Sequence, residues 1–449
     1  MADVVVVGGG LGGLAAAARL AKLGHAVRLV ERSPRVGGAL LDVEDDALPG
    51  FAWDAAVSTV LLPAVLRDLF RKSGRPLERE LELVPQDVLR EHRFADGGSL
   101  TLHAGSRGRQ AEAFDALRAG LGERWLAYVD EAGRDWEALR TAYFEVPPDL
   151  RGRDALPAEA RLRLDSRETL ERRARAAFRD RRARLVATHP AVLDGQDPRL
   201  TPGWTALTAY LEQTFGTWRV VGGTGALAAA LEQRLVTRGV EVLAGVRALD
   251  VRLEAGRAVG VRVQRDGATP EDLDADLVVC AIDPRGLPAL APHVATSMPA
   301  LPPVVSHLAL RDDDPSDPLP DLPPELVLHG EPLLVVRPGG RAPEGHRAWS
   351  ILARGRVDED LAVALARRGL DVRSRIVGRV DLSARALVER WHGSPYGVLW
   401  QGRGTVRRRL GPTTPVPGVL AAGAHATPGA GLPAVGLSAA LVAQVVGPA

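Results

Sequence analysis

The first thirty residues alternate between apolar runs and glycine in an order that predicts a strand, a tight turn, a helix and a second strand. Residues 4–7 are four valines, the pattern of a short strand buried on both faces. A glycine-rich segment follows at residues 8–13, and residues 14–23 are rich in alanine and leucine with helical spacing. A second strand-like run, Val-Arg-Leu-Val, occupies 27–30 and ends at Glu31. This order is typical of a β-α-β unit in a parallel sheet.

The glycine-rich turn has the spacing of a dinucleotide-binding loop. Gly8, Gly10 and Gly13 satisfy G-x-G-x-x-G. In this motif the first glycine permits the tight turn, the second lets the backbone approach a pyrophosphate, and the third lets the helix pack close to the strand. The helix then directs free N–H groups and the positive end of its dipole toward the phosphates. Glu31 follows Gly13 by 18 residues, near the roughly 20 expected of a carboxylate that binds ribose hydroxyls. The sequence therefore predicts nucleotide binding.

Composition excludes several other classes of protein. The 57 basic and 56 acidic residues leave a net charge of +1, which argues against nucleic acid as the main partner. A single cysteine, Cys280, excludes a disulfide framework and favours a reducing compartment. The histidines show no paired ligand spacing, so we expect no metal site. The apolar N-terminus lacks a basic flank and is broken by glycines, unlike a signal peptide, and no run reaches the ~18 apolar residues of a membrane span. We therefore expect a cytoplasmic protein.

Further motifs distinguish among nucleotide enzymes. They are a Gly37-Gly38 pair directly after the second strand, the segments 50–54 and 57–63, the stretch 215–227, the strand-like run 276–284, and the tail 416–435. With these motifs the chain resembles the phytoene desaturase (carotenoid dehydrogenase) family of FAD-dependent oxidoreductases, within the amine oxidase-like flavoprotein superfamily. The resemblance spans nearly the whole chain. It departs from the family at Ala39, where an arginine often follows the glycine pair, and at residues 409–412, where a Phe-Arg-Pro-like segment is expected.

The resemblance implies an α/β fold in which a discontinuous Rossmann-type FAD-binding domain carries a mixed α+β substrate or lid domain. The FAD-binding domain would comprise residues 1–75, 215–290 and 395–449, and the lid domain residues 76–214 and 291–394. The cofactor is expected to be FAD. Its predicted contacts are Gly8, Gly10, Leu11, Gly12, Gly13, Glu31, Arg32, Gly37, Gly38, Val246, Gly423, Ala424, Gly431, Leu432, Pro433, Ala434 and Val435.

The same resemblance implies a reaction. A desaturase of this type transfers a hydride from an apolar polyene or isoprenoid-like substrate to flavin N5 and forms a C=C bond, and the start of the helix after Gly431 would stabilise charge on the reduced flavin. His425 and Asp54 are the candidate catalytic residues, although each is equally well explained by a structural hydrogen bond. Tyr396 and Trp400 either line the substrate path or belong to the core.

Several alternatives remain open on the same fold. A carotenoid isomerase or saturase, or a flavin oxidase of a secondary-metabolite intermediate, would share these motifs, and a non-catalytic escort-like binder of prenylated proteins would share the fold. Amine oxidases place a lysine near the flavin from the later part of the chain, whereas the lysines here are Lys22 and Lys72. The arginine-rich run 151–184 predicts a solvated helical face or peripheral contact with anionic lipid headgroups. The sequence does not indicate an oligomeric state.

Overall fold

The computed structural model describes residues 1–56, 58–148 and 156–449. The β-strands are β1 (Asp3–Val7), β2 (Ala26–Glu31), β3 (Val60–Leu61), β4 (Leu83–Pro85), β5 (Val88–Arg93), β6 (Ser99–His103), β7 (Thr217–Val220), β8 (Glu241–Ala244), β9 (Val246–Glu254), β10 (Arg257–Arg265), β11 (Glu271–Asp274), β12 (Leu277–Cys280), β13 (Val304–Arg311), β14 (Leu326–Leu328), β15 (Leu333–Pro338), β16 (His346–Arg354), β17 (Ile376–Leu382) and β18 (Val419–Ala421). The α-helices are α1 (Leu11–Lys22), α2 (Ala64–Ser73), α3 (Arg107–Leu117), α4 (Leu121–Leu139), α5 (Ala158–Leu164), α6 (Leu170–Ala177), α7 (Arg181–Leu193), α8 (Leu207–Phe215), α9 (Thr224–Thr237), α10 (Leu361–Arg367), α11 (Ala384–Trp391), α12 (Thr405–Arg408) and α13 (Leu432–Val446).

A five-stranded parallel sheet forms the first half of the molecule, with the order β18-β12-β1-β2-β8. The four valines of β1 explain why it is central. Val4 and Val6 pack under a helical layer that includes α1 and α13, whereas Val5 and Val7 pack against the antiparallel sheet β11-β10-β9 on the opposite face. Successive side chains of a strand point to opposite faces, so an uninterrupted apolar run suits a strand covered on both. The predicted α/β, Rossmann-type fold is confirmed.

The second half is built on a seven-stranded sheet with the order β17-β13-β16-β15-β14-β5-β6. Its neighbours are antiparallel except β14 and β5, which run parallel. Two distant parts of the chain meet in this pair, because β5 comes from residues 88–93 and β14 from residues 326–328. Helices α3–α8 and a π-helical turn at Arg140–Phe144 continue this half. The segment 76–214 is thus mainly helical, with three short strands near its start, and the exact domain boundaries stay a prediction.

Several arginines of the arginine-rich run pair with nearby acids where the run is described, from residue 156 onward. Arg175 pairs with Glu171, Arg182 pairs with Asp180, and Arg173 is buried against Asp135. The part of the run at 151–155 lies outside the described residues, as does Val57 of the 57–63 motif. Across the described ranges, no helix combines the length and apolar character needed to cross a bilayer.

Candidate functional site

Three glycines of the first loop differ in what surrounds them. A Cβ on Gly13 would overlap the carbonyl oxygen of Gly8, so this glycine lets α1 start directly against β1. A Cβ on Gly12 would lie 2.7 Å from the Cα of Gly423, so this glycine lets the C-terminal tail pass over the loop. Gly10 differs from both. Its backbone is extended, with φ −74°, and no atom of the described residues lies within 4 Å of a Cβ built on it. The protein itself does not require a glycine at position 10, whereas a ligand that approaches the backbone does.

The acidic end of β2 reaches back to this loop. The Glu31 carboxylate accepts hydrogen bonds from the Gly9 N–H at 2.6 Å and the Ser33 N–H at 2.7 Å. The neighbouring Arg32 is exposed. Val246 is fully buried and packs its side chain into the core beneath the sheet, so a cofactor could meet only its backbone. The roles of these residues toward a nucleotide stay predictions.

The backbone of the Gly37-Gly38 pair packs directly on the backbone of the glycine-rich loop at residues 8–13. Gly37 donates its N–H to the carbonyl of Gly9 at 2.7 Å, and a Cβ on Gly38 would lie 3.2 Å from the Cα of Gly10. This contact brings the Gly37-Gly38 pair to the mouth of the loop. Any larger residue at position 38 would push against Gly10, and the close approach of the two backbones would be lost.

The C-terminal tail completes the loop and opens onto a cavity. Gly423 donates its N–H to Ser438 Oγ at 3.2 Å, and α13 begins at Leu432 directly after Gly431, whose φ is +92°. Val435 is buried beside Gly12. Residues 428–434 lie on the wall of the cavity. The segment that was predicted to run along the flavin therefore separates the glycine loop from this cavity.

The cavity has a volume of about 360 Å³. Much of its wall is apolar and aromatic, with contributions from Leu61, Leu62, Trp125, Trp136, Phe144, Trp204, Leu211, Tyr396, Trp400, Leu432 and Leu437. Tyr396 and Trp400, for which the sequence left open a place on the substrate path or in the core, both line the cavity. Trp400 also packs edge-on against Trp204. Lys22 and Lys72 are both exposed, on α1 and α2. The lysine that characterises amine oxidases thus has no counterpart on this wall.

A buried ionic network forms another part of the wall. Arg90 pairs with Glu212 and, at 3.3 Å, with Glu325, and Arg337 pairs with Glu325 while donating to the Ala56 carbonyl at 3.2 Å. Burial opposes ionisation of Glu325, but Arg337, His189 and Arg90 outweigh it and hold the pKa of this carboxyl well below its usual range. Each charge of the network is compensated, so it shapes the wall without offering a free charge to a ligand.

Asp194 lies on the same wall but has no such partner. It follows α7 directly, and its side chain is accessible and lines the cavity. No group in the described ranges donates a hydrogen bond to its carboxylate. Desolvation by the surrounding protein raises the pKa of Asp194 to about 6, although Arg354 and Arg337 oppose the shift.

Arg409 is a buried cation beside the tail. Its guanidinium donates to the Pro428 carbonyl at 2.9 Å and lies 4.1 Å from the ring centroid of Trp400. In the part of the chain that the structure describes, no carboxylate pairs with it, and burial lowers its pKa. Residues 409–412, which depart from the family pattern, therefore place a positive charge on the cavity wall next to the predicted flavin segment.

The two candidate catalytic residues occupy structural positions. The Nε2 of His425 lies 3.0 Å from the Ser394 carbonyl, and burial lowers the pKa of this imidazole, so it is neutral. Asp54 accepts from the N–H of Thr224 at 3.1 Å and from its hydroxyl at 3.2 Å, and thereby fastens its loop to the start of α9. Neither residue is on the wall of the cavity described above. Their catalytic roles stay predictions, and the groups that do face the cavity carry no recognisable sequence spacing.

Comparison with known proteins decides the family. Residues 11–447 match the family described as flavin containing amine oxidoreductase. The chain belongs to this family. Hydroxyneurosporene desaturase of Cereibacter sphaeroides is 30% identical over 99% of this chain and 97% of that protein. All-trans-zeta-carotene desaturase of Myxococcus xanthus is 32% identical over 62% of this chain and 52% of that protein. The resemblance to carotenoid desaturases is confirmed, and this flavin containing amine oxidoreductase is a flavin-dependent enzyme.

Solved structures support the same fold. Putrescine oxidase bound to putrescine superposes with a TM-score of 0.68 at 17% identity, covering 99% of this chain and 98% of that one. Cyclohexylamine oxidase from Brevibacterium oxydans superposes with a TM-score of 0.64 at 16% identity, covering 99% of both chains. At such low identity these amine oxidases establish the fold of this flavin containing amine oxidoreductase and nothing about its substrate.

Proposed function

We propose that this protein is an FAD-dependent desaturase that introduces a C=C bond into an elongated polyene isoprenoid of the carotenoid type. The observation that carries the proposal is the wall shared by the cofactor segment and the cavity: residues 428–434 belong to the predicted flavin-binding tail and also line the aromatic cavity. The named activities of the two desaturase relatives support a polyene as the substrate.

FAD, rather than a mononucleotide, is supported by the glycine loop. The open space at Gly10 and the free N–H groups at the start of α1 suit a pyrophosphate, which FMN lacks. The Glu31 carboxylate lies beside this loop, where it could bind the adenosine ribose. Val435 lies beside Gly12, and residues 431–434 just before it line the cavity, as an isoalloxazine site requires.

The residues of the chain would bind, orient and shield the reacting molecule. When bound, FAD supplies a two-electron acceptor for a hydride. The aromatic wall would bind the polyene and exclude water from it, because Trp204, Trp400 and Phe144 bury large apolar surfaces. The N–H groups of Leu432 and Ala434 in the first turn of α13, together with the Arg409 guanidinium, would stabilise negative charge beside the tail. Pro433 lacks an N–H and serves as a helix-initiating residue.

The test is an anaerobic single-turnover experiment on the purified holoprotein. We expect the released cofactor to co-elute with FAD on chromatography. Addition of a lipophilic acyclic polyene in detergent should bleach the oxidised-flavin absorbance and yield one new C=C bond per bound flavin. An absence of flavin after incubation with FAD would overturn the proposal. Bleaching without a more unsaturated product would instead assign the enzyme to the oxidase alternative.

A pair of variants tests whether the cavity holds the substrate. Thr208 lines the cavity, so Thr208→Trp should fill it and slow polyene-dependent bleaching by at least about tenfold, with the flavin content unchanged. Thr237→Trp makes the same change at an exposed position on α9 and should leave the rate unaltered. Equal rates for the two variants would place the substrate elsewhere.

Exposed apolar side chains near the cavity bear on the remaining expectation, peripheral contact of the protein with a lipid surface. Met298 and Leu301 are 54% and 56% exposed, and the segment between them bonds to the segment that carries Tyr396 and Trp400. We propose that this apolar edge touches the membrane in which the polyene is dissolved, since exposed apolar side chains insert favourably among lipids.

A further inference from the structure

Asp194 is a feature of the cavity wall that a purely hydrocarbon substrate does not explain. Hydrocarbon packed against an unpartnered carboxyl would remove water from that group and return no hydrogen bond, which is unfavourable. The other acids near the cavity, Glu212 and Glu325, are already paired with arginines. Asp194 therefore retains its full capacity to accept a hydrogen bond from a bound molecule.

Tyr396 supplies a donor near the same point. Its ring lies 5.4 Å from the guanidinium carbon of Arg354, and Arg354 is fixed by donating to the Leu193 carbonyl at 2.8 Å, one residue before Asp194. In the described residues, nothing accepts the proton of its hydroxyl. Burial raises the pKa of this phenol, and Arg337 opposes the shift while the Asp194 charge adds to it, so the hydroxyl stays protonated.

The charges around these two residues limit what they can bind. Arg354 and Arg337 both lie close enough to Asp194 to counteract the effect of burial on its carboxyl, and such cations repel an ammonium group. The Asp194 carboxylate in turn repels an anion. A neutral hydroxyl fits both partners, because it donates one hydrogen bond and accepts another.

We propose that Asp194 and Tyr396 bind a hydroxyl group of the substrate, so that the cavity selects a hydroxylated polyene over the corresponding hydrocarbon. The hydroxyl would donate to the Asp194 carboxylate and accept from the Tyr396 hydroxyl. The inference rests on the proposed function for the polyene class and adds the polar group that the site recognises. Asp194 is a specificity-determining residue in this assignment and takes no part in the hydride step.

The experiment compares an acyclic polyene that carries one tertiary hydroxyl with the hydrocarbon of equal length and unsaturation. Binding to the holoprotein is measured by quenching of tryptophan fluorescence, and KM and kcat are measured separately with an artificial electron acceptor. We expect the unchanged protein to bind the polyenol at least about tenfold more tightly. Asp194→Leu should weaken polyenol binding by about 10- to 100-fold through KM and leave the hydrocarbon unaffected or bound more tightly.

Two further variants separate the proposed role from damage to the fold. Asp194→Asn keeps an acceptor oxygen but loses the charge, so polyenol affinity should fall by roughly fivefold only. Asp197→Asn makes the same change three residues along, at a carboxylate paired with Arg199 and off the cavity wall, and should behave as the unchanged protein. Flavin content and Tm are recorded for each variant.

The outcomes distinguish this inference from the proposed function. Equal affinity for the two polyenes in the unchanged protein, or an equal loss for both in Asp194→Leu, would overturn the role of Asp194 while desaturation stands. Selective binding of the polyenol without a desaturated product would instead overturn the proposed function and leave the hydroxyl site in place.

Discussion

The prediction that most directly tests the cofactor site is the substitution Gly10→Ala. The structure offers room for the new methyl group, since no described atom lies within 4 Å of it and the extended backbone of Gly10 suits alanine. Two small effects on the apoprotein oppose each other. Alanine reduces the conformational entropy of the unfolded chain, which stabilises by about 0.4–1 kcal/mol, and it is a poorer N-cap for α1, which destabilises by a similar amount. We therefore expect the free energy of unfolding of the apoprotein to change by less than about 1 kcal/mol.

The effect on FAD binding should be much larger. A methyl group at position 10 would hold the pyrophosphate away from the loop and break at least one hydrogen bond from a backbone N–H to a phosphate oxygen. Hydrogen bonds to charged groups contribute about 1.5–3 kcal/mol each, so FAD affinity should fall by roughly 10- to 150-fold. Titration of apoprotein with FAD, followed by flavin fluorescence, measures this change, and urea unfolding of the apoprotein measures the stability.

Gly13→Ala is the control for this experiment. Its methyl group would overlap the Gly8 carbonyl, so α1 would be displaced from β1 and the apoprotein itself should be destabilised. The two variants should thus separate cleanly: one loses the cofactor and keeps the fold, and the other loses stability without any ligand. FAD affinity of Gly10→Ala within twofold of the unchanged protein would refute the assignment of this loop.

Three further predictions concern stability and lipid contact. His307 is fully buried, and burial lowers its pKa to about 3. The unfolded chain, with a histidine pKa of about 6.5, binds more protons between these two values, so the free energy of unfolding falls as the pH drops. Urea unfolding at pH 7 and pH 5 should show a loss of about 2 kcal/mol from this residue, and the loss should be absent in His307→Asn. Glu325→Gln leaves the buried Arg337 without its carboxylate and should destabilise by about 3 kcal/mol in thermal unfolding, whereas Asp130→Asn at an exposed pair should change stability by less than about 1 kcal/mol. Met298→Ser combined with Leu301→Ser should reduce co-sedimentation of the protein with anionic vesicles severalfold, whereas Val236→Ser, at another exposed apolar side chain, should not. Unchanged sedimentation of the double variant would contradict lipid contact through the apolar edge at Met298 and Leu301.

The nucleotide half was predictable because its determinants are local in the chain. Four valines, three spaced glycines and one acid within 31 residues define the strand, loop and helix, and the structure places them in that order. The motif predicts that its second glycine serves a ligand, and Gly10 is the one of the three that packing does not require.

The polar wall of the cavity was not predictable for the opposite reason. Arg90, Asp194 and Arg337 lie far apart in the chain and meet only because β5 pairs with β14 and α7 ends beside the seven-stranded sheet. In a chain with 57 basic and 56 acidic residues, no single charge is distinguished by its neighbours in sequence. The motifs predict Asp54 and His425 as candidate catalytic residues, and in the structure both form hydrogen bonds within the fold. A motif records proximity to a site without recording the direction of a side chain, so their catalytic roles stay predictions.

The contact between Gly12 and Gly423 has a consequence for the order in which the protein can acquire its cofactor. The nucleotide loop is translated about 400 residues before Gly423, but α1 is covered by α13, the Ala449 N–H bonds to the Leu23 carbonyl, and Gly423 lies on the loop itself. A nascent chain therefore carries a recognisable loop for more than 400 residues of synthesis without a complete pocket. Flavin loading should wait until Gly423 and α13 have been synthesised, and a ribosome-bound chain stalled before residue 423 should hold no FAD.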